Sequence, residues 1–238
     1  MKCLVIIPAY NEEDNIVRVI ENLKNNYPQY DYVIVNDGSA DSTPEICRMK
    51  GYELIDLPVN LGLAGAFQTG LKYAYEKDYD YAIQFDADGQ HLPQYIEAML
   101  DKMQEGYDIV IGSRFVTEKK PKSLRMLGSN MISFAMKLTT GHKIKDPTSG
   151  MRMFNKKMIA EFALSMNYGP EPDTVSYLLK QGATIAEVQV TMEERIAGTS
   201  YLTFGRSMMY MMRMMISILL IQNFRKRQKV KKIVVEEV

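Results

Sequence analysis

Short apolar runs alternate with segments of helical period through the first half of the chain, and this alternation limits the fold more than any other feature. The runs are residues 3–7, 32–35, 52–57, 81–85 and 108–111. Between the first two, Ile16, Val19, Ile20 and Leu23 fall on one helix face. Further on, Ser42-Thr43-Pro44 offers a cap and a first-turn proline, and residues 64–76 and 93–104 read as further helices. Strands separated by single helices need crossover connections. The expected fold is therefore α/β, a mostly parallel sheet flanked by helices. Ligands of such sheets bind beyond the carboxyl ends of the strands, so the loops after the strands are where chemistry is sought.

Polar clusters stand at those places. Pro-Ala-Tyr-Asn-Glu (8–12) follows the first run and Asn-Asp-Gly-Ser (36–39) the second. Asp-Ala-Asp-Gly-Gln-His (86–91) follows the fourth and Gly-Ser-Arg (112–114) the fifth. Asp86 and Asp88 are two residues apart at a strand end, and alternate side chains of an extended chain point the same way. Two carboxylates about 4 Å apart repel by roughly 1–4 kcal/mol, depending on the local dielectric. A hard divalent cation, Mg²⁺ or Mn²⁺, relieves that repulsion and completes its shell with substrate phosphates and water. It also offsets charge on a departing diphosphate. Gly89 permits a tight turn, and Gln90 either adds a ligand or holds one.

The other clusters carry weaker signals. Asp37 offers an acceptor for a nucleobase N–H, although Asn-Asp-Gly-Ser is also a common turn. Pro8 fixes the backbone as the strand ends, Tyr10 presents a flat face, and Glu12 accepts from a ribose hydroxyl or complements a helix start. Asn60–Gly65 lacks the lysine of a P-loop, so its glycines are expected to serve close helix–sheet packing. Arg114 is either a bidentate partner for a diphosphate or a surface arginine. Past residue 115 the rhythm breaks. Residues 146–152 read as a polar turn beside the acceptor. Glu171 and Asp173 either cap a helix or face the acceptor, where one of them would act as general base for a hydroxyl. After an alternating strand (Ile185, Val188, Val190), Arg195 with Gly198, Thr199 and Ser200 is expected to serve as an anion clasp.

Composition narrows the class. With 29 basic and 29 acidic residues the chain carries no net charge, and nothing points to nucleic acid. The balance is uneven, because residues 225–238 hold six Lys and Arg against two Glu. A basic tail on a mildly acidic body suits an anionic surface. The two cysteines, Cys3 and Cys47, are expected to be small buried hydrophobes in a reducing compartment. No signal peptide is apparent, so a cytoplasmic body is expected. Residues 208–221 are almost wholly apolar yet shorter than the ~18–20 residues a membrane span needs. An apolar helix followed by a basic run suits a membrane interface or an integral-membrane partner, and the alternative is a core or partner-binding helix, because methionine fills irregular gaps.

Taken together, Ile-Pro-Ala-Tyr-Asn-Glu, Asn-Asp-Gly-Ser-Ala-Asp-Ser-Thr, Asn-Leu-Gly, Asp-Ala-Asp-Gly-Gln-His, Gly-Ser-Arg and Asp-Pro-Thr-Ser-Gly-Met-Arg occur in this order over roughly residues 1–200. The chain resembles a family-two inverting glycosyltransferase of the GT-A, Rossmann-like fold, within the dolichyl-phosphate mannosyltransferase-like group. The resemblance implies a glycosyltransferase domain over 1–203 and an amphipathic segment with a basic tail over 204–238. It implies that Pro8, Tyr10, Glu12, Val35 and Asp37 hold the nucleoside of a nucleotide-diphosphate sugar, with Ala87 in backbone contact. Asp86, Asp88 and Gln90 would serve the metal. Arg114 and Arg195 would meet donor or acceptor phosphates, with Ser200 beside the acceptor. Where the family usually reads Arg-x-x-Gly-x-Ser-Lys, this chain has Tyr201 in place of the lysine. The implied activity is transfer of a sugar to a polyprenyl phosphate or a cell-envelope glycan, at the inner face of the membrane. A sugar-phosphate nucleotidylyltransferase would open with a glycine- and arginine-rich phosphate loop, which is missing. A non-catalytic scaffold would have no use for the intact acidic pair.

Overall fold

The computed structural model describes residues 1–164, 169, 171–193 and 204–224. Its centre is β1 (Cys3–Ala9), a run of branched residues buried on both faces. Leu4 and Ile6 face one core cluster, and Cys3, Val5 and Ile7 face another. A strand lined with Val and Ile on both sides has no wet face, so helices must cover both. Each fully buried Leu or Ile contributes about 1.5–3 kcal/mol.

Around β1 the described residues form one seven-stranded sheet in the order β3-β2-β1-β4-β6-β5-β7. The other strands are β2 (Asp31–Asn36), β3 (Leu54–Asp56), β4 (Tyr81–Gln84), β5 (Ile109–Ser113), β6 (Arg152–Asn155) and β7 (Ile185–Gln189). All neighbours pair in parallel except β6, which runs antiparallel to both β4 and β5. On one side lie α1 (Ile16–Asn26), α2 (Thr43–Met49) and α4 (Ile96–Gln104). The other side is covered by α3 (Gly62–Glu76), α5 (Leu124–Thr140), α6 (Lys156–Leu164), α7 (Pro172–Lys180) and α8 (Phe204–Leu219).

Three details differ from the sequence reading. The third strand is only Leu54–Asp56, because Tyr52 leaves it to place its hydroxyl on Glu21 at 2.6 Å. Close helix–sheet packing falls to Gly70 on α3, where a Cβ would overlap Ile6 Cγ2; Gly62 instead adopts φ +76° at the helix start. Residues 152–155, assigned in part to a turn, form the inserted β6. The buried side of α8 (Met211, Met214, Ile218) packs into the core cluster it shares with α3, α5, α6 and α7, in line with the core alternative for this segment.

Helix α5, in the stretch past residue 115 where the strand–helix rhythm breaks, has well-formed ends. Ser123 Oγ accepts from Met126 N–H at 3.2 Å, and Gly141 closes the helix at φ +78° with its N–H on Lys137 O.

Candidate active site

The parallel strands bring their following loops to one edge. The first two loops are laced together: Asn11 N–H donates to Ser39 Oγ, Ala40 N–H to Asn11 Oδ1, and Glu12 N–H to Thr43 Oγ1, each at 2.9 Å. Tyr10 stands exposed above them. Asp37 is buried, and its Oδ1 accepts from Leu61 N–H at 2.7 Å. That bond ties the second loop to the start of α3. Pro8 lies inside β1 opposite Val35, and both are buried, so the edge meets them through the backbone.

At the end of β4 the acidic loop is pinned from several sides. Asp86 keeps a side chain 33% exposed, whereas Asp88 is buried. Asp88 Oδ1 accepts from Gln90 N–H at 3.0 Å, a bond that turns the loop around Gly89 at φ +81°. A Cβ on Gly89 would overlap the guanidinium of Arg18, whose Nη2 lies 3.4 Å from Asp88 O. Gln90 Nε2 donates to Glu193 O at 3.2 Å, and Glu193 N–H returns to Gln90 O at 3.0 Å. In this geometry Gln90 holds the loop through its amide nitrogen.

His91 sits beneath the pair. It is buried, edge-on to Phe85, and its Nδ1 accepts from Asp86 N–H at 2.9 Å. With Nδ1 accepting, the ring proton of the neutral form sits on Nε2, which lies 3.5 Å from Asp86 Oδ2. Gly150 completes the cradle, since a Cβ there would come within 2.9 Å of that same oxygen. The signal available in the sequence was proximity alone, His91 being five residues from Asp86 in one short loop.

Arg114 is committed elsewhere. Its Nε and Nη2 form a fork on the fully buried carboxylate of Asp146, at 2.7 and 2.9 Å. Only the rest of the guanidinium remains for a phosphate. Beside it, Lys120 Nζ donates to Ser129 Oγ at 3.1 Å. Burial lowers the Lys120 pKa, opposed by Asp146 and Glu187 and reinforced by Arg114. Asp173 is buried and accepts from Ser217 Oγ of α8 at 2.6 Å and from Thr174 N–H at 2.8 Å. Glu171 accepts the hydroxyl of Tyr210. Both acids thus anchor α8 to the start of α7. Arg195 and Ser200 lie outside the described residues.

Among the described residues no three or more His, Cys, Asp or Glu gather into a ready-made metal cage. The donor set at the edge is two carboxylates and an amide oxygen. That fits a hard cation taking its remaining ligands from phosphate and water better than a soft or imidazole-bound metal.

A doubly covered sheet with an acidic pair closing its central strand pair, beside loops from β1 and β2, defines a transferase domain of GT-A type. Comparison with known proteins makes the assignment specific. Residues 4–162 match the model of Glycosyl transferase family 2, and the chain belongs to that family. It is a glycosyltransferase. Similar proteins include the UDP-N-acetylglucosamine–dolichyl-phosphate N-acetylglucosaminyltransferase of Methanococcus voltae, 34% identical over 78% of this chain and 83% of the relative. The undecaprenyl-phosphate mannosyltransferase of Micrococcus luteus is 30% identical over 86% of this chain and 89% of its own. Glucosyl-3-phosphoglycerate synthase from Mycobacterium tuberculosis, crystallised with Mn²⁺, UDP and glucosyl-3-phosphoglycerate, shares the fold. Its TM-score is 0.66 at 19% identity, covering 93% of this chain and 79% of that one.

Proposed function

We propose that this glycosyltransferase moves a sugar from a nucleotide diphosphate to a polyprenyl phosphate, with inversion at the anomeric carbon. The observation that carries the reading is the pinned acidic loop, Asp86 open to solvent and Asp88 buried, at the end of β4. Asp86 and Asp88 would hold a divalent cation, with Gln90 either ligating through its oxygen or fixing the loop. When bound, the cation neutralises charge on the nucleoside diphosphate as it leaves. Asp37 keeps an acceptor oxygen for a base N–H, Glu12 lies near for the ribose, and Tyr10 offers its ring. The matching relatives are named for dolichyl and undecaprenyl phosphate, which supports the acceptor class.

A phosphate acceptor is already anionic and needs no general base. That agrees with the engagement of Asp173 by Ser217 and of Glu171 by Tyr210. A sugar hydroxyl acceptor would need one of them released. The desolvated Lys120 and the open side of Arg114 would meet the acceptor's charge, with Arg195 and Ser200 assigned there on sequence alone. A lipid-borne acceptor puts the enzyme at a membrane surface. Among the described residues no helix is long and apolar enough to cross a membrane.

The test is a panel of nucleotide-diphosphate sugars, with Mn²⁺ or Mg²⁺, offered with a polyprenyl phosphate or an oligosaccharide. Lipid-linked sugar of inverted configuration, abolished by EDTA, is expected. Transfer only to the oligosaccharide, or turnover indifferent to EDTA, overturns the proposal.

A further inference from the structure

The carboxyl edge has two halves, the acidic loop after β4 and the Arg114 loop after β5. Their strands are not neighbours, because β6 lies between them in the sheet. A short segment at the end of β7 and just beyond it, residues 189–193, is bonded to both. At one end Gln189 Nε2 donates to Arg114 O at 3.0 Å, and Gln189 Oε1 accepts from Thr117 N–H at 2.8 Å. Val190 N–H donates to Ser113 O at 3.0 Å. In the middle, Thr191 is hydrogen-bonded to the Tyr95 hydroxyl. At the other end Glu193 exchanges two bonds with Gln90, its N–H to Gln90 O at 3.0 Å and its carbonyl to Gln90 Nε2 at 3.2 Å.

Gln90 is the junction. Its own N–H donates to Asp88 Oδ1 at 3.0 Å, so the carboxylate and the segment are each one hydrogen bond from the same residue. A route from Asp88 to Arg114 thus runs through Gln90, Glu193 and Gln189. Val190 is buried, whereas Thr191 and Glu193 are exposed, so beyond Val190 the polar bonds carry much of the segment's placement. Segments held in that way open at low cost, and whatever fixes one end of them is felt at the other.

We infer that Gln90 is a positioning residue that couples the two halves of the site. Asp88, once fixed by a bound donor, holds Gln90; Gln90 holds residues 189–193, and these hold the Arg114 loop that meets the acceptor's phosphate. Whichever substrate binds second then meets loops already ordered and loses less conformational entropy, so each favours the other's binding. The inference rests on the reading of a cation-bound nucleotide donor and a phosphate acceptor, and adds the communication between them. The two roles open to Gln90 use different atoms, its side-chain oxygen toward a cation and its nitrogen toward Glu193, so substitution can separate them.

The experiment is calorimetry on the full chain, titrating a short water-soluble prenyl phosphate with and without Mn²⁺ and a nucleoside diphosphate, UDP and GDP in turn. Two variants are compared with the wild type. Gln90→Glu keeps an oxygen for the cation and loses the donor to Glu193, and Gln189→Met cuts the route at its other end. The wild type should bind the prenyl phosphate about tenfold more tightly once Mn²⁺ and nucleotide are present. In both variants that ratio should fall below about threefold, with the affinity for Mn²⁺ and nucleotide changed by less than about threefold. Amide exchange gives a readout that needs no acceptor. Adding Mn²⁺ and nucleotide should slow exchange of the Thr117 N–H, in the Arg114 loop, about tenfold in the wild type and not in Gln90→Glu. A wild-type ratio of one, the wild-type ratio kept by either variant, or no slowing at Thr117 in the wild type would each overturn the coupling. Slowing at Thr117 that Gln90→Glu abolishes, in a protein that binds no prenyl phosphate, would support the coupling and sink the acceptor reading instead.

Discussion

Helices α1 and α5 both carry apolar residues at helical spacing, yet they show opposite surfaces to solvent. On α1 the apolar side (Ile16, Val19, Ile20, Leu23) is wholly buried, and Arg18, Asn22, Lys24 and Asn25 face outward. On α5 one apolar side is buried and a second, with Leu127, Phe134 and Leu138, faces outward. The core satisfies α1 completely. Among the described residues it satisfies only half of α5, and the remaining apolar area stays exposed. The carboxyl edge is a different case, with Asp86 33% exposed and Asp88 buried in one loop after β4.

The edge should give the largest effect. Asp86→Asn or Asp88→Asn is expected to lower kcat by about a thousandfold or more, with the thermal midpoint unchanged or raised because one of two neighbouring negative charges is removed. A variant that keeps about a tenth of the activity would remove that residue from the site.

The two sides of α5 come next, measured by urea unfolding. Ile132→Ala should cost about 2–5 kcal/mol, whereas Phe134→Ser should stay within about 0.5 kcal/mol. Equal losses would mean that the outer stripe is covered within the chain, and the contrast with α1 would vanish.

His91→Leu deprives the Asp86 N–H of its acceptor and the carboxylate of its neighbour. Affinity for Mn²⁺ with nucleoside diphosphate, read by calorimetry, should fall about 10–100-fold with the fold retained. Unchanged affinity would leave His91 as packing for Phe85 alone.

The smallest effect tests how well the α1 side is closed. Burial pushes the Cys3 thiol up to about 12 and the Cys47 thiol to about 11. At pH 8 both stay protonated, so a disulfide reagent should label neither in the native protein and both of the chain's 2 cysteines once it is unfolded. Rapid native labelling would show that this side opens more readily than its packing implies.

Much of the site was legible because it is local. Asp86 and Asp88 follow an apolar run directly, Asp37 follows another, and the direction of a parallel sheet then puts both loops on one edge. What escaped is non-local. The strand β6 is four residues long with Arg152 and Asn155 at its ends, and only its place between β4 and β5 makes it a strand. The fork from Arg114 to Asp146 spans 32 positions, and no spacing rule announces it. The close approach at Gly70 depends on which residue of β1 lies beneath it.

The sequence by itself determined the α/β alternation, the order of loops along one edge and the acidic pair, because strand and helix periods act over a few residues. Only the tertiary structure decided which apolar side of α5 is inside, that Asp173 and Glu171 hold α8, and that His91 lies under Asp86. Burial is a property of what the rest of the chain places nearby. A helix that is apolar on two sides carries no mark of which one the core will take.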